Sequence, residues 1–173
     1  MHRHTGLRHV RRAAHRLRVV IHRVTIVCGP PCAGKTTWVA EHATPGDTVL
    51  DVDVLAKLCG SDRDHGHEGR YYRAANTEFW ALSEAVRASQ VTAWVIRGAP
   101  EPAARKKLAD ACGATRTIVL LPPRDVLHMR ALERDATFSG SAVDTMRAIT
   151  KWFNRYKPAR GDVLIRDYQE VSR

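Results

Sequence analysis

The stretch Gly29-Pro30-Pro31-Cys32-Ala33-Gly34-Lys35-Thr36-Thr37 decides how this 173-residue chain folds. It matches the phosphate-binding pattern G-x-x-x-x-G-K-[ST] at every fixed position. A short apolar and β-branched segment, Val24–Val27, precedes it, and a helical pattern begins directly after it. This motif requires a strand before the loop and a helix after it. The sequence therefore predicts a loop that binds the phosphates of a nucleoside triphosphate.

The residue types in this loop suit that chemistry. Gly29 and Gly34 let the backbone curl so that consecutive N–H groups point at a phosphate, and the helix that follows adds its positive dipole end. We expect Lys35 to reach the β- and γ-phosphates of ATP and the Thr36 hydroxyl to ligate Mg²⁺. Cys32 is interpreted as a small loop-filling residue and not as a redox sensor.

The composition fits one domain of ordinary size. At 173 residues and 44% apolar residues, the chain can bury a core but is too short for two comfortable domains. No apolar run approaches the roughly 18–20 residues that a membrane span needs. The four cysteines form no C-x-x-C pair, which favours reduced thiols. We therefore expect a soluble, cytoplasmic protein with no membrane partner.

The net charge of +10 is concentrated at the N-terminus. Seven of the 28 basic residues lie in residues 1–23, which contain no acidic residue. The other 21 basic residues face 18 acidic ones and leave +3 on the rest of the chain. We predict a basic extension over 1–22 and a kinase-like domain over 23–173. For the extension, weak order, nucleic-acid contact, and a membrane or targeting role stay open, in that order of preference.

Short apolar strands alternate with helical segments along the domain. The predicted strands are 23–28, 48–52, 91–96, 117–121 and 163–165; the predicted helices are 35–43, 53–58, 70–90, 101–112, 124–135 and 142–157. This alternation predicts an α/β, three-layer P-loop NTPase or kinase fold with a central parallel sheet of about five strands. No internal repeat and no second domain are indicated.

Two carboxylates lie at the end of the second predicted strand, where open α/β sheets place ligands. Asp51 and Asp53 are two residues apart, so on an extended segment they would face the same way. Such a carboxylate could take a proton from an acceptor hydroxyl or hold Mg²⁺ through water. We predict a catalytic role for Asp53 and substrate binding for Asp51; the alternative is a helix N-cap at Asp53 and a solvated strand end at Asp51.

Arg130 and Arg134 are spaced four apart on the helix after the fourth predicted strand, so they share one face. We predict that they form a lid that neutralises charge on the transferred phosphoryl group. The alternative is an exposed helix face on which Glu133 and Asp135 pair with them. His65 and His67 lie in a charged loop without further ligands, so no metal site is predicted there.

These motifs together carry a family resemblance. The loop and the residues around it (Gly29–Trp38), the D-x-D at 51–53 and the run Leu127–Tyr156 resemble the kinase domain of the phage polynucleotide 5′-kinases. In that family a G-x-P-G-S-G-K-S-T-W loop binds ATP, and a lid of the form L-x-x-R-x-x-x-R follows. The resemblance covers most of residues 24–157, and the loop is its most specific part.

The resemblance implies roles for individual residues. Lys35 and Thr36 would hold the phosphates and Mg²⁺. Asp53 would be the general base for a 5′-hydroxyl group, Arg134 the transition-state arginine, and Arg130 its support.

The chain departs from that family after the third predicted strand. The family has an aspartate–threonine–asparagine run there, whereas this chain reads Ile96-Arg97-Gly98-Ala99-Pro100. Arginines at this sheet edge clamp an acceptor phosphate in nucleoside-monophosphate kinases. We therefore expect Arg97 either to bind a substrate phosphate or to pair with a nearby acid.

The leading functional hypothesis is an ATP-dependent kinase for 5′-hydroxyl ends of DNA or RNA. A kinase for a nucleotide, a nucleoside or another small molecule is the alternative within enzymes of this fold. A nucleic-acid-stimulated ATPase is the alternative of another class, disfavoured because no strand ends in the acidic pair of a hydrolytic site. The sequence predicts no oligomeric state.

Overall fold

A computed structural model describes residues 23–135 and 141–167 of the chain. The predicted basic extension over 1–22 and most of the segment between the predicted helices 124–135 and 142–157 lie outside the described residues. The strands are β1 Val24–Cys28, β2 Thr48–Asp51, β3 Ala93–Arg97, β4 Arg116–Leu120 and β5 Asp162–Ile165. The helices are α1 Lys35–His42, α2 Val52–Leu58, α3 Gly69–Ala88, α4 Pro102–Cys112, α5 Arg124–Asp135 and α6 Ala142–Arg155.

The five strands form one parallel sheet in the order β2-β3-β1-β4-β5. All five residues of the central strand β1 are buried, as expected for a parallel strand covered on both faces. Side chains alternate across the sheet: Ile26 joins one hydrophobic cluster with Phe79 and Leu108, whereas Val27 joins the other with Val39 and Leu127. The predicted three-layer α/β P-loop fold with about five strands is confirmed.

The structure corrects the start of α2. The strand β2 ends at Asp51, which is itself the N-cap: its carboxylate accepts the backbone N–H of Asp53 at 3.0 Å. Asp53 lies in the first turn of the helix, so the predicted N-cap at Asp53 and the predicted extended segment through Val52 are wrong. The Asp51 carboxylate lies two residues before an N–H group of the first helical turn and is well placed to cap it. The helix therefore begins at Val52, one residue earlier than predicted.

Other boundaries shift by one or two residues. The strand β3 covers Ala93–Arg97 instead of 91–96, and α6 ends at Arg155, three residues before Pro158. Ser141 caps α6 by accepting the backbone N–H of Asp144 at 3.3 Å.

Within the described residues, no helix is long and apolar enough to cross a membrane.

A buried arginine joins two regions that are far apart in the sequence, residues 99–105 and 157–162. Arg105 on α4 is 3% exposed and forms an ion pair with Asp162 of β5 at 2.8 Å. Its guanidinium also donates to the carbonyl oxygens of Ala99 at 3.0 Å, Pro100 at 2.7 Å and Lys157 at 2.6 Å. This network fastens the loop after β3 to the chain between α6 and β5.

We expect Arg105→Met to lower the free energy of unfolding by about 3–5 kcal/mol, because it strands a buried carboxylate and buried carbonyl groups. Urea unfolding followed by circular dichroism measures this loss. Arg155→Met is the matched control, since it removes only an exposed ion pair with Glu101 and should leave the midpoint nearly unchanged. Equal midpoints for the two variants would contradict the assigned role of Arg105.

Candidate active site

The carboxyl ends of β1, β2 and β3 meet at one edge of the sheet. Cys28, the last residue of β1, pairs with Arg97, and Asp51 pairs with Ile96. Because the strands are parallel and in this register, the phosphate loop, Asp51 and Arg97 emerge side by side. Open α/β sheets bind ligands at this edge.

The phosphate loop is shaped by close backbone contacts. A Cβ atom at Gly29 would lie 2.6 Å from the carbonyl oxygen of Leu120, at the end of β4. Cys32 and Gly34 have φ angles of 61° and 81°, in the left-handed region. No side chain caps the N-terminus of α1, which begins at Lys35. Uncapped N–H groups at a helix start bind phosphate, so the loop fits the triphosphate that its sequence predicts.

Lys35 is folded onto the loop. Its ammonium donates to the carbonyl oxygen of Pro30 at 2.8 Å. Burial lowers the pKa of Lys35, while the negative charges of Asp51 and Asp53 oppose that change. The two carboxylates thus face the lysine that would hold the phosphates.

Asp51 connects the phosphate loop to α2. Its Oδ2 accepts the Thr36 hydroxyl at 3.2 Å, while its Oδ1 accepts the N–H of Asp53. The side chain is buried, and this burial raises the pKa of the Asp51 carboxyl despite both hydrogen bonds. The structure therefore brings Asp51 to Thr36, the residue predicted to ligate Mg²⁺.

Asp53 lies beside two histidines from the loop between α2 and α3. Its Oδ2 is 2.9 Å from His65 Nδ1, and its Oδ1 is 3.3 Å from His67 Nε2. Burial would raise the pKa of Asp53, but the hydrogen bond from His65 and the attraction of His65, His67 and Lys35 lower it below its ordinary value. Asp53 is therefore held in its ionised form, as a general base requires.

The helix α5 brings one of its two predicted lid arginines to the phosphate loop. Arg130 donates to the carbonyl oxygen of Cys32 at 3.2 Å. Arg134 lies half-buried one turn further along α5. Residues 136–140, which follow, lie outside the described part of the chain.

Arg97 lies half-buried at the end of β3. One guanidinium nitrogen donates to Asn76 Oδ1 of α3 at 2.6 Å, and the guanidinium carbon lies 4.2 Å from the centre of the Phe79 ring. The other terminal nitrogen, Nη1, is buried and has no hydrogen-bond partner among the described residues. Among the described residues, Arg97 bonds to an amide and to no acid, and its open donor suits an anionic group.

The loop that follows Arg97 is tightly held. Ala99 has a φ of 33°, which a non-glycine residue rarely adopts. Arg105 binds the carbonyl oxygens of Ala99 and Pro100, and the indole N–H of Trp152 donates to the carbonyl of Gly98 at 2.7 Å. Strained backbone persists where its surroundings over-determine it, often near a functional site.

Sequence reasoning missed three neighbours of the site: His65, His67 and Asn76. From the sequence alone the two histidines suggest only a metal site, and in the described residues no group of three or more His, Cys, Asp or Glu side chains could hold a metal ion. They lie 12 and 14 residues after Asp53, in the irregular loop between α2 and α3, which carries no periodic signal. Asn76 lies on a helical pattern that an ordinary amphipathic helix explains equally well.

Comparisons with solved structures identify the class of fold. A gluconokinase from Sinorhizobium meliloti 1021 is 17% identical with a TM-score of 0.58, and 86% of this chain and 85% of that chain are covered. A chain of the Pnkp1/Rnl/Hen1 RNA repair complex is 12% identical with a TM-score of 0.60, covering 79% of this chain and 47% of that one. The tunicamycin resistance protein of Deinococcus radiodurans is 18% identical with a TM-score of 0.53, covering 84% and 86%. At these identities the likeness concerns the fold, which is that of the P-loop kinases.

The family follows from a match over most of the domain. The family model described as "AAA domain" matches residues 24–157, from the first residue of β1 to just beyond α6. The chain belongs to this AAA domain family. No curated protein sequence matches it significantly.

We expect Gly29→Ala to disrupt the phosphate loop, since the new Cβ would collide with the backbone of β4. Affinity for ATP should fall about tenfold or more, and stability by about 1–3 kcal/mol. Gly98→Ala is the control: it lies at the same edge, but its nearest non-local atoms would be 3.9 Å from the new Cβ. Calorimetric titration with ATP and thermal unfolding check both variants; wild-type affinity in Gly29→Ala would contradict this account of the loop.

Proposed function

We propose that this protein is an ATP-dependent phosphotransferase that transfers the γ-phosphate to a hydroxyl group of an acceptor. One observation carries the proposal: the Asp51 carboxylate bonds both to Thr36 of the phosphate loop and to the backbone of Asp53. A candidate base is thereby fixed beside the site for the triphosphate. Positioning of the reactants and electrostatic stabilisation supply most of the catalysis in phosphoryl transfer.

The residues divide the reaction between them. The loop 29–37 and Lys35 bind the β- and γ-phosphates, and Thr36 would ligate Mg²⁺, which neutralises phosphate charge when bound. Asp53 takes the proton of the acceptor hydroxyl. The hydroxyl oxygen of the acceptor bonds to the γ-phosphorus, while the bond between the γ-phosphorus and the bridging β–γ oxygen breaks. Arg130 and Arg134 stabilise the charge on the transferred group, and ADP leaves.

For the acceptor, we favour the 5′-hydroxyl end of DNA or RNA. The open donor of Arg97 is suited to a neighbouring phosphate of the strand. The exposed residues Arg70, Tyr72 and Arg73 add charge and an aromatic ring at the start of α3, next to Asn76. A chain of an RNA repair complex has this fold, which is consistent with such an acceptor.

A small molecule with an anionic group is the second candidate acceptor. A single half-buried guanidinium stacked on Phe79 suits one compact phosphate or carboxylate as well as it suits a polymer. A gluconokinase also shares the fold.

Transfer from γ-labelled ATP separates the candidates. The protein is offered a 5′-hydroxyl oligonucleotide of DNA, one of RNA, nucleoside monophosphates and small hydroxy acids. Label on an oligonucleotide supports the first proposal, and label only on small molecules supports the second. Release of inorganic phosphate without labelled acceptor, stimulated by DNA, would contradict both and favour an ATPase.

We expect Asp53→Asn to leave ATP affinity within a few-fold of wild type and to lower kcat by about 100-fold or more, a typical contribution of a general base. The amide keeps the size of the side chain but cannot accept the proton. Turnover and ATP titration with the labelled acceptor check this expectation. A kcat near wild type would remove Asp53 from the role of base.

We expect Arg97→Met to raise KM for the acceptor about tenfold or more while KM for ATP stays unchanged, because a charged hydrogen bond to the acceptor is lost. Arg87→Met is the control, since Arg87 is an exposed arginine of α3 whose described hydrogen bond goes to the Asp110 carbonyl. If the acceptor KM is equal in both variants, Arg97 does not bind the acceptor.

A further inference from the structure

The loop between α2 and α3 brings two imidazoles to the two oxygens of one carboxylate. His65 Nδ1 lies 2.9 Å from Oδ2 of Asp53, and His67 Nε2 lies 3.3 Å from Oδ1. The Asp53 side chain is itself 37% exposed, so it is open to solvent on its remaining side. Both carboxylate oxygens therefore have a nitrogen neighbour on the protein side.

His67 is the fixed member of the pair. Its side chain is 1% exposed, and its Nδ1 lies 2.8 Å from the hydroxyl oxygen of Ser61. That oxygen accepts the backbone N–H of Arg63 at 3.3 Å. The ionised Asp53 carboxylate that faces Nε2 can only accept, so the neutral His67 ring has its proton on Nε2, and its Nδ1 accepts the Ser61 hydroxyl. This N–H faces Asp53.

The buried Nε2 atom of His67 depends on Asp53. At 3.3 Å its contact with Oδ1 is an ion–dipole contact that falls short of a well-aligned hydrogen bond, and no other partner reaches this atom among the described residues. A buried N–H without an acceptor is unfavourable. Asp53 is the acceptor within reach, so His67 and the carboxylate constrain each other.

We infer that His67, supported by Ser61, and His65 are positioning residues that hold the Asp53 carboxylate in the orientation from which it removes a proton. This inference rests on the proposed role of Asp53 as the base. A general base must meet its proton within hydrogen-bond reach, and a carboxylate held at both oxygens cannot rotate away. The exposed His65 contacts Oδ2 of Asp53, and the buried His67 contacts Oδ1.

The charges around Asp53 predict the direction in which its pKa changes when a histidine is removed. Among the described residues, the charged and titratable groups that act most strongly on it are Lys35 from α1, Asp51 from the end of β2, and the two histidines of the loop. Burial raises the pKa of Asp53, and the histidines and Lys35 lower it. Removing a histidine should therefore raise that pKa and move the acid limb of kcat to higher pH.

Paired substitutions distinguish hydrogen-bond donation by the two histidines from their contribution to packing. His67→Leu removes the N–H, whereas His67→Gln returns one near the position of Nε2. For His65, whose Nδ1 is the contacting atom, His65→Leu removes the donor and His65→Asn returns it. The control is His42→Leu on α1, which changes a histidine that bonds the carbonyl of Trp38, away from Asp53.

The titration of Asp53 by carbon-detected NMR, in the full chain without nucleotide, decides the inference independently of any acceptor. We expect the midpoint to rise by about half a pH unit or more in His67→Leu and in His65→Leu. It should return toward the wild-type value in His67→Gln and His65→Asn and stay unchanged in His42→Leu. A midpoint unchanged in both leucine variants, each folded by circular dichroism, would overturn the inference.

Kinetics distinguish failure of this inference from failure of the proposed function. With the acceptor that takes label from γ-labelled ATP, kcat should fall about tenfold in His67→Leu, with KM for ATP unchanged and partial recovery in His67→Gln. If Asp53→Asn lowers kcat while both leucine variants match wild type, the histidines do not position the base. If Asp53→Asn is fully active, the role of Asp53 as base fails first.

Discussion

One carboxylate holds the two halves of the candidate site together. Asp51 accepts the Thr36 hydroxyl through one oxygen and the backbone N–H of Asp53 through the other. It thereby fixes the start of α2 against the start of α1, and with it the distance between the candidate base and the phosphate loop.

Burial raises the pKa of Asp51, so its ionised form is less favourable in the folded protein than in the unfolded chain. Linkage then makes this carboxylate a cost to stability above its unfolded pKa. Such a cost is expected where geometry serves a site and not the core.

Backbone contacts hold the rest of the sheet edge at the candidate site in place. Gly29 leaves no room for a side chain against the carbonyl of Leu120, so the phosphate loop follows the end of β4 closely. On the other side of β1, Arg105 and Trp152 bind the carbonyls of the loop after β3, where Ala99 keeps its unusual φ. These contacts within the protein hold the loop and the strand ends in place, and a preorganised site loses less entropy on binding.

Local patterns in the sequence predicted most of the fold and half of the site. The loop motif, the alternation of strands and helices, and the ends of parallel strands placed Lys35, Asp51 and Arg97 at one edge. The pattern failed at Asp53, because two aspartates two residues apart compete to cap α2, and only the folded geometry shows that Asp51 does so. The histidines at 65 and 67 were beyond prediction as partners of Asp53, since an irregular loop has no period from which its path could be inferred. The network of Arg105 could not be predicted either, because its partner Asp162 lies 57 residues further along the chain and local patterns do not report contacts at that distance.

The two acceptors that we propose share one arrangement of groups. Asp53 follows β2 and Arg97 ends β3, and these strands are direct neighbours, about 4.8 Å apart in a sheet. In the proposed function the acceptor hydroxyl would meet Asp53, and an anionic group of the same acceptor would meet Nη1 of Arg97, which has no partner among the described residues. The end of a nucleic-acid strand and a small hydroxylated acid both carry a hydroxyl near an anionic group. The proposal therefore assigns discrimination between them to residues outside this pair, such as Arg70 and Arg73 at the exposed start of α3.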